Sequence, residues 1–220
     1  SRFRTDIEQN NILKRLHEGK IDIIIGTHRL LSTDVKFRDL GLLVVDEEQR
    51  FGVKHKEKIK RFRANVDVLT LSATPIPRTL HMSLMGLRDL SLVNTPPADR
   101  RAVRTRLLPV NDYIIQEAVS REVRRGGQIF VVHNRVESIY EYGNYLKSIL
   151  PNIRIAIGHG QMREKQLEKV MLDFIEGRFD VLLSTTIIES GLDIPKANTI
   201  IIDNAQNFGL SQLYQLRGRV

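Results

Sequence analysis

The sequence predicts an α/β fold made of parallel βαβ units in two successive series. Short apolar runs bounded by turn residues alternate with stretches whose apolar residues recur at helical spacing, the pattern of strands joined by crossover helices. The stiff, polar, non-periodic stretch Thr95-Pro96-Pro97-Ala98-Asp99-Arg100-Arg101 separates the two series and reads as a linker between domains. The third observation is Leu42-Leu43-Val44-Val45-Asp46-Glu47-Glu48-Gln49, where an apolar run passes abruptly into acids. Such a run suits the fully buried central strand of a parallel sheet, and in open α/β sheets ligands sit beyond the carboxyl ends of the strands.

Taken in order, Thr5-Asp6-Ile7-Glu8 is a capping box opening a helix, with Ile12, Leu13 and Leu16 on one face and Gly19 ending it. Ile21 to Ile25 reads as a strand broken by Gly26-Thr27-His28-Arg29. The Asp46 strand follows, then a basic helical segment over Lys54–Arg63 and a strand over Val66–Leu71 that runs into Ser72-Ala73-Thr74-Pro75-Ile76-Pro77-Arg78-Thr79. From Asp89 to Arg104 the pattern lapses. The second series then places helices at 112–125, 135–150 and 161–176, ended by Gly126-Gly127, Pro151 and Gly177. Its strands fall at 128–132, 153–157, 179–184 and 199–202, and a last helical stretch covers 210–217. Domains are expected at 1–90 and 105–220, with 91–104 between them.

The composition narrows the chemistry. With 220 residues the chain can bury one large core or two small ones, and 41% hydrophobic with 27% charged residues is ordinary for a soluble globular protein. No apolar run approaches the ~18–20 residues that span a bilayer, and no signal-peptide pattern opens the chain, so no membrane partner and a cytoplasmic location are expected. The absence of cysteine excludes disulfides and thiolate metal sites, and the six histidines lack ligand-like spacing. A balance of 34 basic against 26 acidic residues, net +8, favours a polyanionic partner, nucleic acid first, although many proteins this basic bind none.

Beyond the Asp46 strand the residues point to nucleotide hydrolysis: Asp46 would hold Mg²⁺ at the phosphates, and Glu47 would orient or deprotonate the attacking water. An apolar strand also ends in acids simply where the chain leaves the core. Ser72 and Thr74 would hydrogen-bond the acidic cluster and relay its state, or form an ordinary strand-to-helix turn, since Thr74 before Pro75 also starts a helix well. Gly191-Leu192-Asp193 would bring backbone N–H groups and a carboxylate to the nucleotide, or be a plain glycine turn. Arg217 and Arg219 would be arginine fingers on the γ-phosphate, or a solvated helix end.

Taken together, these motifs resemble superfamily 2 helicase-type motors with two RecA-like lobes. DEEQ at 46–49 is similar to motif II, SAT at 72–74 to motif III, TTIIESGLDIP at 185–195 to motif V and QLYQLRGRV at 212–220 to motif VI. GTHRLL at 26–31 resembles motif Ib, and IFVVHNRVESI at 129–139 motif IV. Within the superfamily, RFGVKHKEKIK at 50–60, VDVLTLSATPIPRTL at 66–80 and GLRDLSLVNTPPADR at 86–100 resemble the bacterial transcription-repair coupling factors, while TPIPRT and QLRGRV are shared with RecG. Two departures stand out. Gln49 replaces the histidine of the usual DEEH, keeping a hydrogen bond but not a cation. No GxxxxGK[ST] phosphate loop occurs, and motif VI stops before its final Gly-Arg. The first lobe is therefore expected to be incomplete, and the isolated chain to be an inactive excerpt of a motor.

The resemblance implies mainly parallel sheets flanked by helices and an ATP-driven double-stranded DNA translocase acting on stalled RNA polymerase in transcription-coupled repair. It places Gly191, Asp193 and Gln215 at the nucleotide and Gln49, Ser72 and Thr74 in coupling. The implied DNA contacts are Thr27, His28, Arg29, Arg78, Thr79, Asn134, Arg135, His159, Gly160 and Thr186, directed at phosphates because a motor must not read sequence. RNA polymerase and UvrA would bind through regions outside this chain. A RecG-like branched-DNA helicase and a non-catalytic nucleic-acid-binding module are the alternatives.

Overall fold

The computed structural model describes residues 5–48, 51–62, 65–72, 89, 91–93, 95, 102–189 and 194–220. Gln49, Thr74, Arg78, Thr79, Gly191 and Asp193 lie outside the described residues, as do 94 and 96–101 of the expected linker. The chain divides into two compact units, Ser1–Thr95 and Pro96–Val220. Parallel sheets flanked by helices occur in both, as the alternation of runs predicts.

In the first unit, helix α1 (Asp6–His17) starts where the sequence places it. The Thr5 hydroxyl accepts from Glu8 N at 3.3 Å while the Glu8 carboxylate accepts from Thr5 N at 2.9 Å, so two otherwise orphaned donors are satisfied. Gly19 stops the helix at φ +72°, a conformation that costs a side chain dearly and glycine little. Strands β1 (Leu42–Asp46) and β2 (Asp67–Leu71) pair in parallel with Asp46 opposite Leu71, and α2 (Val53–Phe62) lies between them in sequence. Leu31, Val45 and Ile59 are buried together, with Leu43, Phe51, Phe62 and Val68 packed around them.

Two expectations for this unit fail. Strand β1 is not buried on both faces: Val45 is 5% exposed, but Leu42 and Val44 are 56% and 51% exposed. Alternate residues point to opposite faces, and among the described residues only the Leu43/Val45 face is covered. Ile21 to Ile25 joins no ladder, and Ile23 and Ile25 are 81% and 92% exposed. An apolar run becomes a strand only where a neighbouring strand takes up its backbone hydrogen bonds, and among the described residues none does so here.

The second unit is built on one four-stranded parallel sheet in the order β4–β5–β3–β6, from β3 (Gln128–Val132), β4 (Ile155–Gly158), β5 (Val181–Ser184) and β6 (Ala197–Ile202). Helices α3 (Asp112–Arg124) and α4 (Ile139–Ile149) cover one face, where Ile115, Val119, Ile139 and Leu146 meet Ile129, Val131, Val181 and Leu183. Helices α5 (Glu164–Ile175) and α6 (Leu210–Arg217) cover the other, where Met171, Phe174 and Leu216 meet Phe130, Val132, Ala156 and Leu182. Full burial stabilises by about 1.5–3 kcal/mol per large apolar side chain, and β3, buried along its whole length, carries much of this. Gly143 lets α4 approach β4: a Cβ there would sit 2.7 Å from Ile157 Cδ1. Glu122 is 2% exposed yet satisfied, accepting from Thr199 Oγ1 at 2.6 Å and Arg125 Nε at 2.8 Å, which joins α3 to β6.

Strands β4 and β5 begin two residues later than expected. The Asp180 carboxylate takes Arg154 N at 2.9 Å, a bond to a side chain instead of a ladder bond. Helix α4 begins at Ile139, not 135, for a reason that belongs to the site.

Candidate functional site

In the first unit the ends of the two strands gather Asp46, Glu47 and Ser72. Asp46 is exposed, and Glu47 follows at φ +52°, a left-handed conformation unusual for a non-glycine residue. Glu47 N donates to Leu71 O at 3.0 Å, so the acid is pinned to the end of β2, one residue before Ser72. Phe51 N donates to Glu48 O at 3.1 Å. The cost of a strained backbone at the second acid is typical of residues whose direction matters. The donor set is oxygen only, which suits a hard divalent cation held by one carboxylate and phosphates.

Thr27, His28 and Arg29 sit together on a short 3-10 turn, His28–Leu31, capped by the Thr27 hydroxyl. Arg29 forms a fork on Asp34, Nη1 to Oδ1 at 2.8 Å and Nη2 to Oδ2 at 2.6 Å. This bond holds the Asp34 carboxyl below its ordinary range and Arg29 above its own. Lys58 Nζ donates to Leu31 O at 2.7 Å and fastens the turn to α2.

The second unit gathers its expected residues at the carboxyl edge of one sheet. His159 and Gly160 follow β4, Thr186 follows β5, and Asn134 and Arg135 follow β3. Asn134 and Arg135 are exposed; His159 is buried, its Nε2 3.0 Å from the Tyr140 hydroxyl and its ring edge-on to that tyrosine. Gln215, Arg217 and Arg219 lie on or just after α6. The exposed Arg217 guanidinium lies 4.7 Å from the centre of the Tyr214 ring, whereas Arg219 is half-buried with its Nε shielded from solvent.

Sequence reasoning missed the group that organises this edge. His133 Nδ1 lies 2.7 Å from Asp203 Oδ2, and His133 Nε2 lies 2.8 Å from Ser138 Oγ. The imidazole stacks on Tyr142, centroids 4.8 Å apart and planes 13° from parallel. Ser138 sits at the N-cap of α4 and makes no capping bond; its hydroxyl meets His133 instead, which ties residues 133–138 back to the strand end as a loop ahead of the helix. A signal was present: Val131-Val132-His133-Asn134 and Ile201-Ile202-Asp203-Asn204 repeat one pattern at two strand ends.

The tyrosines beside this group titrate late. Burial, then the Asp203 charge, raises Tyr142 above its ordinary value, and the bond Tyr145 donates to Asp112 Oδ1 at 2.6 Å, then burial, pushes Tyr145 up to about 12. A raised tyrosine contributes stability that is complete below its unfolded value near 10 and is lost as pH rises through the folded value. Tyrosinate absorbance is therefore expected to show a step near pH 12 that Tyr145→Phe removes, and melting temperature to fall as pH rises above 10.

Comparison with known proteins places this geometry. Residues 110–220 match the helicase conserved C-terminal domain and residues 2–83 the DEAD/DEAH box helicase domain. The chain is 61% identical over all 220 residues to the transcription-repair-coupling factor of Escherichia coli (strain K12) and 58% identical to that of Bacillus subtilis (strain 168). It spans 19% of the length of each. A solved structure of RecG bound to a three-way DNA junction superposes with a TM-score of 0.71 at 40% identity, over 99% of this chain and 29% of that one. The Mycobacterium smegmatis helicase Lhr shares the fold, with a TM-score of 0.70 at 18% identity over 99% of this chain and 32% of that one. Among the described residues no helix is long and apolar enough to cross a membrane.

Proposed function

Because the chain belongs to the helicase conserved C-terminal domain family, we propose that it is the central part of an ATP-driven double-stranded DNA translocase that acts on stalled RNA polymerase in transcription-coupled repair. The single observation that carries this reading is identity of 57–61% across the whole chain to transcription-repair-coupling factors of several bacteria. The relatives being about five times longer, the chain works in this reading as the motor of a larger protein, with RNA polymerase and UvrA held by other parts of it.

Asp46 would hold Mg²⁺, through water, and Glu47, its backbone N–H fixed to Leu71 O, orients or deprotonates the attacking water. What such an ion would supply there is neutralisation of charge on the phosphates of ATP. Arg219, and Arg217 after leaving the Tyr214 ring, bring positive charge to the γ-phosphate, with Gln215, Gly191 and Asp193 at the nucleotide. Gln49, Ser72 and Thr74 relay the state of the acidic cluster. Thr27, His28, Arg29, Arg78 and Thr79 in the first unit, and Asn134, Arg135, His159, Gly160 and Thr186 in the second, meet DNA phosphates. Arg29 does so by exchanging Asp34 for a phosphate of the same fork geometry. Contacts of this kind make binding sequence-blind and weaker as salt rises.

The test compares phosphate release by the 220-residue chain and by a full-length protein bearing it, each with and without duplex DNA. Turnover stimulated by duplex is expected only from the full-length protein, since the chain carries no GxxxxGK[ST] motif to cradle the phosphates. Robust DNA-stimulated turnover by the chain alone contradicts the phosphate-loop argument, and none from the full-length protein contradicts the motor. A RecG-like action on branched DNA is the second reading, favoured by the superposition on RecG.

A further inference from the structure

We propose that His133 is a positioning residue whose bridge to Asp203 and Ser138 couples helix α6 to the loop carrying Asn134 and Arg135; this rests on the proposed function, which puts nucleotide at α6 and nucleic acid at that loop. Strands β3 and β6 pair with Val132 opposite Ile202, so the next residues, His133 and Asp203, leave the sheet side by side. His133 is 9% exposed and Asp203 7%, and the Nδ1–Oδ2 distance of 2.7 Å closes the gap between two loops 70 residues apart in sequence. With the ring neutral, Nδ1–H donates to the Asp203 carboxylate and Nε2 accepts the Ser138 hydroxyl proton.

Three further contacts make the bridge rigid. The Tyr142 ring, stacked on the imidazole, leaves it no room to rotate without losing that surface. Ser138 gives its hydroxyl proton to the bridge, so both ends of the 133–138 loop are held, His133 also donating its backbone N–H to Ser184 O at 2.9 Å. Asn134 Nδ2 donates to Asn207 O at 3.4 Å, a second link from this loop to the turn that enters α6. That turn runs from Asn204, in the left-handed conformation, to Gly209, whose N–H donates to Gln212 Oε1 of α6 at 3.1 Å. The exposed Asn134 and Arg135 are therefore presented by a loop anchored to the same segment that anchors Gln215, Arg217 and Arg219. Displacement of α6 has to move the loop or break the bridge.

The readout is the ratio of duplex-DNA affinities with and without a non-hydrolysable ATP analogue, measured on full-length protein with a fluorescent blunt duplex. His133→Phe keeps a ring to stack on Tyr142 and removes both hydrogen bonds; Asp203→Asn and Ser138→Ala each weaken one link. Coupled sites commonly differ by about 5–150-fold in affinity. The ratio is expected to collapse toward one in His133→Phe and to fall less in Ser138→Ala. The same collapse must appear in analogue affinity with and without DNA, since coupling is reciprocal. An unchanged ratio in folded His133→Phe, or a uniform loss of DNA affinity that leaves the ratio intact, overturns the bridge while leaving the motor reading standing. If His133→Phe does not fold, Ser138→Ala decides by the same criterion. A wild-type protein whose duplex affinity ignores the analogue overturns the proposed function and the bridge with it.

Discussion

Glu47→Gln in the full-length protein is expected to reduce ATP turnover on the order of 10²–10⁴-fold, the range for loss of a general base. Nucleotide affinity is expected to survive. The substitution keeps the length and shape of the side chain, and the backbone bond from residue 47 to Leu71 O does not involve it. What is lost is a carboxylate able to take a proton from water. The left-handed backbone at this position, φ +52°, favours a short side chain such as asparagine or a glycine over glutamate, so a purely structural residue would gain from replacement. A contrasting variant, Asp46→Ala, is expected to weaken Mg²⁺-dependent nucleotide binding itself, because the exposed carboxylate that ends β1 is the cation's protein partner in this scheme. Single-turnover hydrolysis and a binding titration for each variant separate the two roles. Near-normal hydrolysis by Glu47→Gln makes Glu47 structural and removes its proposed role.

Arg219→Ala is expected to lower turnover by ~10³–10⁵-fold, the effect of removing a charge that acts on the transferring phosphoryl group, while costing far less ATP affinity. The structure distinguishes this arginine from its neighbour. Arg217 is exposed and rests on Tyr214, whereas Arg219 follows the end of α6 half-buried, its backbone N–H donating to Leu216 O at 3.0 Å. A half-buried guanidinium has less side-chain freedom to lose when it meets its target. Equal losses of affinity and turnover point instead to ground-state binding, and no loss to a solvated arginine.

Much of this architecture was legible because parallel strands, buried on both faces, must be written as continuous apolar runs. Gln128–Val132 and Val181–Ser184 are such runs, and both are buried throughout. The caps were legible for a local reason: Thr5 and Glu8 satisfy each other within one turn. What could not be read depends on pairing. Among the described residues, Ile21–Ile25 has the composition of a strand but no ladder, and Leu42–Asp46 has that of a central strand but one covered face. The His133–Asp203 contact is set by the strand order β4–β5–β3–β6, which neither segment encodes alone. The start of α4 moved for the same reason, since a histidine that answers to β6 ties Ser138 back to the end of β3 and keeps the residues before it in a loop.

We propose that the full-length protein moves along duplex DNA without separating its strands. The chain is 6% aromatic and has no tryptophan, whereas proteins that grip unpaired bases rely on stacking worth ~1–3 kcal/mol per base. The direct measurement gives the full-length protein ATP and two substrates, a duplex carrying a third-strand oligonucleotide and a forked duplex with none. Translocation predicts ATP-dependent displacement of the third strand with the fork left paired. Efficient unwinding of the fork contradicts it and transfers the assignment to a RecG-like remodeller.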